Sequence, residues 1–144
     1  VTNMLQKKKR EADYRNKNML LGPNLEKVET RDDAFLKKVK SVLEERFKSE
    51  EFGVEDLAEE LGMSYIQFYR KFKSLTSSNA NEYLRQFRLT KAAHLLKNDA
   101  NLTANEVMYM VGFSSQSYFT RSFKKMFKTT PGSYQLKESG VTSS

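Results

Sequence analysis

Two places in the chain carry side chains of the types that hydrogen-bond to the edges of nucleic acid bases. Arg70 and Arg121 could each donate two bonds to O6 and N7 of guanine, and Gln116 could pair with adenine. Ile66 could contact the methyl group of thymine. Other side chains nearby suit phosphate groups, either through a positive charge or beside the amides of a helix N-terminus: Ser64, Lys73, Ser114, Lys124 and Lys125.

Composition argues against enzymatic chemistry. The chain has 144 residues, no cysteine and a single histidine, His94. These counts exclude a thiol nucleophile, a disulfide framework and zinc sites built from cysteine or several histidines. Acidic residues occur as adjacent pairs such as Glu59 and Glu60, which on a helix diverge by about 100° and do not face each other. We expect His94 to be a packed or surface residue, and we expect no catalytic site, metal or cofactor.

Positive charge is concentrated in the second part of the chain. Residues 1–60 hold 13 basic and 14 acidic residues, whereas residues 61–144 hold 12 basic and 4 acidic residues. No carboxylate side chain occurs from position 107 to position 137. Such a stretch is typical of a surface that faces phosphates, because each carboxylate would repel them. The alternative is a basic surface that only keeps the protein soluble.

The elements that must position these side chains are predicted to be helices. Apolar residues recur on one helical face along most of the chain, and no segment alternates long enough to predict a strand. Ser64 with Gln67 and Thr103 with Glu106 have the spacing of capping boxes, so each serine or threonine should precede a helix. Ser114 is predicted to open a further helix. The residues expected to face the core are Phe35, Leu36, Val39, Val42, Leu43, Phe47, Val54, Leu57, Ala58, Leu61, Phe68, Phe72, Leu75, Leu84, Phe87, Ala92, Ala93, Leu95, Val107, Met110, Val111, Phe119, Phe123, Phe127 and Tyr134.

The chain repeats one pattern twice. Residues 57–64 align with residues 107–114 at an offset of 50, and residues 68–73 align with residues 119–124 at an offset of 51, so one residue is added in the second copy. Each copy reads as a short helix, a glycine-containing turn and an amphipathic helix. This is the layout of a helix-turn-helix unit, whose second helix enters the major groove of DNA.

The helical period places the candidate base-contacting residues on the outer faces of the two amphipathic helices. With Phe68 and Phe72 inward, the opposite face of the first helix presents Ile66, Tyr69, Arg70 and Lys73. With Phe119 and Phe123 inward, the second presents Ser115, Gln116, Ser117, Thr120 and Arg121. Two alternatives stay open from the residues alone. The two arginines could be surface residues paired to carboxylates, and the Tyr69 ring could lie over the core.

Residues from about 33 to 137 resemble the DNA-binding domain of the AraC/XylS family of bacterial transcription regulators. The resemblance rests on both copies of the repeat, on the segments 81–85, 88–89 and 111–114, and on the closing segments 118–125 and 131–134. It implies an all-α fold of about seven helices, with two helix-turn-helix subdomains joined by a long central helix. It also implies that both recognition helices enter successive major-groove segments on one DNA face. Ala80 departs from the family, which usually has proline there, and Ser77 stands where glycine is frequent.

Carried over by position, the base-reading places of the family fall on residues of both helices: Ile66, Tyr69, Arg70, Gln116, Ser117 and Arg121. We expect a linker or tail over residues 1–31, the DNA-binding domain over 32–138 and a disordered tail over 139–144. Within the domain, the first helix-turn-helix is expected at about 34–79, the linker helix at about 80–98 and the second helix-turn-helix at about 102–137.

The order of a lysine-rich start, a linker and then the domain resembles the C-terminal end of a hybrid two-component sensor or of an AraC-type response regulator. That resemblance implies upstream receiver or sensor domains in a longer chain. The partners implied are double-stranded DNA and RNA polymerase, with a monomeric isolated domain and a dimer in the full-length context. We expect a cytoplasmic location, with the full-length protein anchored in the membrane if it is a hybrid sensor. The alternative function is that of a basic helical module that binds a protein partner or an anionic membrane surface.

Overall fold

The structure is a computed structural model that describes residues 29–138. Positions 1–28 of the linker or tail predicted over 1–31, and the whole tail predicted over 139–144, lie outside the described residues. The described part contains seven helices and no strand, which confirms the predicted all-α fold. We number them α1 (Arg31–Arg46), α2 (Val54–Glu60), α3 (Tyr65–Thr76), α4 (Ala80–Asn98), α5 (Ala104–Met110), α6 (Gln116–Phe127) and α7 (Pro131–Glu138).

Both predicted capping boxes are confirmed at the starts of α3 and α5. The Gln67 amide donates to Ser64 Oγ at 3.1 Å, and the Glu106 amide donates to Thr103 Oγ1 at 3.0 Å. In each box the side chain of the third helical residue accepts from the capping amide in return. These bonds satisfy amides that a helix N-terminus leaves without an intrahelical partner. Helix α3, the second helix of the first copy, and helix α5, the first helix of the second copy, therefore begin where their sequences predict.

The predicted start of α6 is wrong by one residue. Ser115, not Ser114, is the N-cap, and its Oγ accepts from the Tyr118 amide at 3.2 Å. Ser114 is an exposed residue of the turn. The cause is the residue added in the second copy of the repeat, after which Ser115 is the counterpart of Ser64 at the offset of 51.

Two hydrophobic cores, one for each copy of the repeat, meet on α4. The first is formed by α1, α2, α3 and the start of α4, and the second by α4, α5, α6 and α7. Phe47 follows α1 in sequence, yet its buried ring belongs to the second core and contacts Phe87 at 5.6 Å between ring centroids. The end of α1 therefore joins the two halves of the domain.

Some predicted core positions are only partly buried or exposed. Near the end of α4 the buried leucine is Leu96, whereas the predicted core residue Leu95 is half-buried. On α5 the buried methionine is Met108, whereas Met110 is 41% exposed. Leu75 is half-buried as well. Each difference is a shift of one or two positions around a helix, because the direction of the core depends on neighbouring helices as well as on the helix's own pattern.

Candidate nucleic-acid interface

Helices α3 and α6 are held by equivalent aromatic anchors. Phe68 and Phe72 are fully buried on α3, and their counterparts Phe119 and Phe123 are buried on α6. The two rings of each pair lie at similar distances, 5.7 Å between centroids on α3 and 5.9 Å on α6. Since residues four apart share one helical face, the anchors turn the opposite face of each helix outward.

The outward faces of the two helices match position by position at the offset of 51. Both carry an arginine at the centre and a lysine one turn nearer the C-terminus. The matched pairs are Ile66 with Ser117, Tyr69 with Thr120, Arg70 with Arg121, and Lys73 with Lys124. The sequence repeat thus gives α3 and α6 similar outward surfaces. A surface of this kind, with a forked donor flanked by a cation, can contact a base edge and a neighbouring phosphate together.

On α3 the predicted site residues have different surroundings. Ile66 is 60% exposed, and Arg70 is also exposed. The Tyr69 ring is half-buried, it lies 5.9 Å from the Tyr65 ring, and its hydroxyl accepts from Asn79 Nδ2 at 3.4 Å. Asn79 is the N-cap of α4. Tyr69 therefore contacts the start of α4 through its hydroxyl, while part of its side chain stays exposed. Its partial burial agrees in part with the alternative that the ring lies over the core.

On α6 the predicted base-contacting residues are all exposed. Gln116 and Ser117 occupy its first turn, and Arg121 lies one turn further on, with its Nε donating to the Ser117 carbonyl at 3.4 Å. Within residues 29–138 neither Arg121 nor Arg70 forms an ion pair with a carboxylate. In this part of the chain the alternative of two carboxylate-paired arginines is therefore not observed, and both guanidinium groups can reach a ligand.

A cationic cleft of about 470 Å³ lies between α4 and α6, beside the outward face of α6. Arg85, Arg121 and Lys125 line it together with one carboxylate, Glu82. The hydrogen bond from Arg85 holds the pKa of Glu82 below its ordinary value and raises the pKa of Arg85. Arg85 also donates to the Tyr118 hydroxyl at 3.4 Å. Three cations against one anion leave the cleft with net positive charge, which favours phosphate nearby.

Three outward residues received no functional assignment from sequence. Thr120 is the counterpart of Tyr69, Lys128 is an exposed cation immediately after α6, and Ser115 is the true N-cap. The offset of 51 could have identified Thr120 and Ser115, whose counterparts are Tyr69 and Ser64, whereas Lys128 aligns with Ser77 and no sequence signal marked it. Within the described part of the chain, no three acidic or histidine side chains are grouped as a metal site would require, and none of the helices there is long and apolar enough to cross a membrane.

The chain is similar to a family of helix-turn-helix domains and to parts of proteins that regulate transcription or transmit signals. Residues 57–137 match the model of a family of helix-turn-helix domains. Histidine kinase P4 of Formosa agariphila is 36% identical over 104 residues, which are 72% of this chain and 8% of that kinase. The probable transcription factor PqrA of Proteus vulgaris is 35% identical over 88 residues, covering 61% of this chain and 71% of that protein. The chain thus spans most of PqrA and a small part of the kinase.

Two solved structures are similar to this chain in fold. The C-terminal domain of the two-component response regulator yesN from Fusobacterium nucleatum is 29% identical, with a TM-score of 0.66 over 71% of this chain and 98% of that one. The DNA-binding domain of AdpA, a global transcriptional factor solved in complex with a target DNA, is 28% identical. Its TM-score is 0.67, over 74% of this chain and 94% of that one.

Proposed function

Since the chain belongs to the AraC/XylS family of DNA-binding transcription regulators, which are not enzymes, we propose that both α3 and α6 enter the major groove of one double-stranded DNA site. The two helices would occupy successive groove segments on one face of the duplex. The DNA complex of AdpA supports this proposal as a precedent for a similar fold.

The observation that carries the proposal is the match between the outward faces of α3 and α6. A helix that only packs in the domain needs its anchors, Phe68 and Phe72 or Phe119 and Phe123, but it does not need an arginine and a lysine at equivalent outward positions. Both guanidinium groups are exposed, and the second helix lies in a stretch without carboxylates. Two equivalent cationic surfaces on one domain suit a ligand with repeated phosphates and base edges.

Six outward residues are proposed to read bases: Ile66, Tyr69, Arg70, Gln116, Ser117 and Arg121. In this proposal the arginines bind guanine, Gln116 pairs with adenine, and Ile66 contacts a thymine methyl group. The unequal composition of the two faces predicts unequal information, because α3 offers one forked donor whereas α6 offers Gln116 and Arg121. We therefore propose that α6 contributes more of the sequence preference.

Phosphate contacts are proposed for a second set of residues: Ser64, Lys73, Ser114, Lys124 and Lys125. The lysines lie toward the C-terminal ends of the two helices, and Ser64 caps the N-terminus of α3, where free amides can donate to phosphate. Ser114 lies in the turn, one residue before the N-cap of α6, and its hydroxyl would contact a phosphate of the DNA backbone from there. These contacts would add affinity to every sequence and would give little preference among sequences.

Selection from a genomic DNA library at about 0.15 M salt, followed by sequencing of bound fragments, tests the proposal. Two short blocks about one helical turn apart are expected. A single block would show that one helix reads and the other does not. Binding to every fragment with equal strength, or equal binding to vesicles of anionic lipid, would contradict sequence-specific DNA binding and favour the basic-module alternative.

Substitutions at two neighbouring positions of α6 separate base reading from phosphate binding. Arg121→Ala is expected to weaken binding by about 1–3 kcal/mol and to relax the preference at one base position. Lys124→Ala is expected to weaken binding to all sequences alike and to reduce the salt slope by about one. Arg31→Ala and Lys38→Ala, which remove exposed cations of α1, are the matched controls and should change neither property.

We further propose that the domain is the output module of a longer two-component protein in the cytoplasm, with receiver or sensor domains upstream. The similarity to part of a histidine kinase and to the C-terminal domain of a response regulator supports this assignment. In that setting RNA polymerase would be a second partner, and dimerisation would come from the upstream domains. Sedimentation of the domain alone should then give a monomer, whereas a dimer would contradict the assignment of dimerisation to other parts.

A further inference from the structure

The guanidinium of Arg88 on the linker helix α4 binds three backbone carbonyls of the first subdomain. Its Nε donates to the Phe47 carbonyl at 3.1 Å, and its Nη2 donates to the carbonyls of Ser49 at 2.8 Å and Phe52 at 2.9 Å. These three residues form the end of α1 and the loop that leads to α2. The loop therefore has a fixed position on α4, since a planar guanidinium holds several acceptors in one geometry.

The same carbonyl of Phe47 also touches the turn of the second helix-turn-helix. Gly112, which lies between α5 and α6, is so close that a Cβ there would stand 2.5 Å from the Phe47 oxygen and 2.9 Å from Arg88 Nε. Its counterpart in the first repeat, Gly62, has open space around the same position. The helix-turn-helix unit as such does not need this close approach. It exists in the second copy because that copy packs against the end of α1.

Further contacts tie α4 to the end of α1 at the same place. Lys91, one turn beyond Arg88, forms an ion pair with Glu44 at 2.8 Å and lies over the Phe47 and Phe87 rings. A cation at the C-terminal end of α1 is favourable because the unpaired carbonyls there carry partial negative charge. Burial lowers the pKa of Arg88, yet an arginine keeps its charge at every physiological pH. The joint between the two subdomains is thus built around Arg88.

We propose that Arg88 is a positioning residue that sets the separation of the two recognition helices, and so determines the spacing between the two base-pair blocks that the protein prefers. This inference rests on the proposed function, in which both α3 and α6 read DNA. The chain of contacts is short. The first subdomain carries α3, the turn at Gly112 precedes α6, and both meet at the Phe47 carbonyl that Arg88 holds.

The test measures spacing preference with the complete chain and the two-block duplex that the wild-type chain selects. Further duplexes have the spacer lengthened or shortened by one and two base pairs, since each base pair rotates one block relative to the other by about 34°. We expect the wild type to lose about tenfold in affinity for each altered spacer. The Arg88→Lys and Arg88→Ala variants should bind the selected spacing more weakly and should discriminate among spacings by less than about threefold.

Matched variants distinguish a change of joint from a general loss of stability. Lys37→Ala removes an exposed cation of α1 that pairs with Glu29, and it should leave the spacing preference as in the wild type. Gly112→Ala should change the preferred spacing, whereas Gly62→Ala should not, so the inference stays testable if an Arg88 variant does not fold.

Two results would overturn the inference, and they differ in meaning. If folded Arg88 variants discriminate among spacings as strongly as the wild type, Arg88 does not set the separation even though both helices read DNA. If the wild type itself selects one block or ignores the spacer, the proposed two-helix function fails and the inference fails with it.

Discussion

Replacing Gly112 by alanine should destabilise the domain much more than the same change at Gly62. Both glycines have positive φ, +93° at Gly112 and +70° at Gly62, and they occupy equivalent turns of the repeat. An L-residue in the left-handed region costs about 1 kcal/mol relative to glycine, so both variants share this loss. Gly62→Ala should cost little more, because nothing lies within 4 Å of its new Cβ.

Gly112→Ala carries an additional cost from crowding. Its Cβ would lie 2.5 Å from the Phe47 oxygen, a backbone atom at the end of α1 that cannot turn away alone. Arg88 could move aside, but the three carbonyls would then lose a charged donor, and overpacking of this kind costs about 1–3 kcal/mol. The total is about 3 kcal/mol, which corresponds to a fall in Tm of roughly 15 °C, against roughly 5 °C for Gly62→Ala.

Thermal and urea unfolding followed by far-UV circular dichroism measure this difference. The two variants should be compared in the wild-type background and in the Arg88→Ala background. Once Arg88 is absent, part of the crowding is relieved, so the effect of Gly112→Ala should become smaller while that of Gly62→Ala stays the same. Equal losses for the two glycine variants in the wild-type background would refute the reasoning, because the cost would then come from φ alone.

Ser77 and Lys128 end α3 and α6 in the left-handed region, at φ 59° and 66°, so Ser77→Gly and Lys128→Gly should each stabilise the domain by about 0.5–1 kcal/mol in urea unfolding; a loss of stability would contradict this. Phe123→Ala removes a fully buried ring from the second core and should cost about 3–5 kcal/mol; an unchanged urea midpoint would show that the core closes around the gap. The backbone amide of Thr103 holds the pKa of Glu106 below its ordinary value of 4.5, so this carboxylate stabilises the fold above that pH and ceases to as the pH falls through its lowered pKa. Glu106→Gln should therefore make the loss of stability on acidification shallower, and an identical pH profile would show that the capping carboxylate contributes nothing.

The sequence alone was sufficient to predict the helices, the repeat and the direction of the outward faces of α3 and α6. These features depend on residues close in the chain: Ser64 and Thr103 cap helices whose partners lie three positions away, and Phe119 and Phe123 share a face because they are four apart. The repeat even contained the correct start of α6, because the offset of 51 aligns Ser64 with Ser115. Ser114 was predicted as the start of α6 because the offset of 50, which holds up to residue 114, aligns it with Ser64.

The tertiary structure decided the joint between the two halves. Nothing in the local pattern of α1 indicates that Phe47 leaves the first core for the second, because its periodicity is the same as that of the residues before it. From its position on α4, Arg88 would be expected to be a solvated or interhelical residue. Only in the folded chain does it donate hydrogen bonds to three carbonyls that lie some 40 positions earlier. Gly62 and Gly112 look alike in sequence, yet one faces open space and the other touches Phe47. Local periodicity specifies which face of a helix is apolar, whereas the arrangement of two cores depends on contacts between residues far apart in the chain.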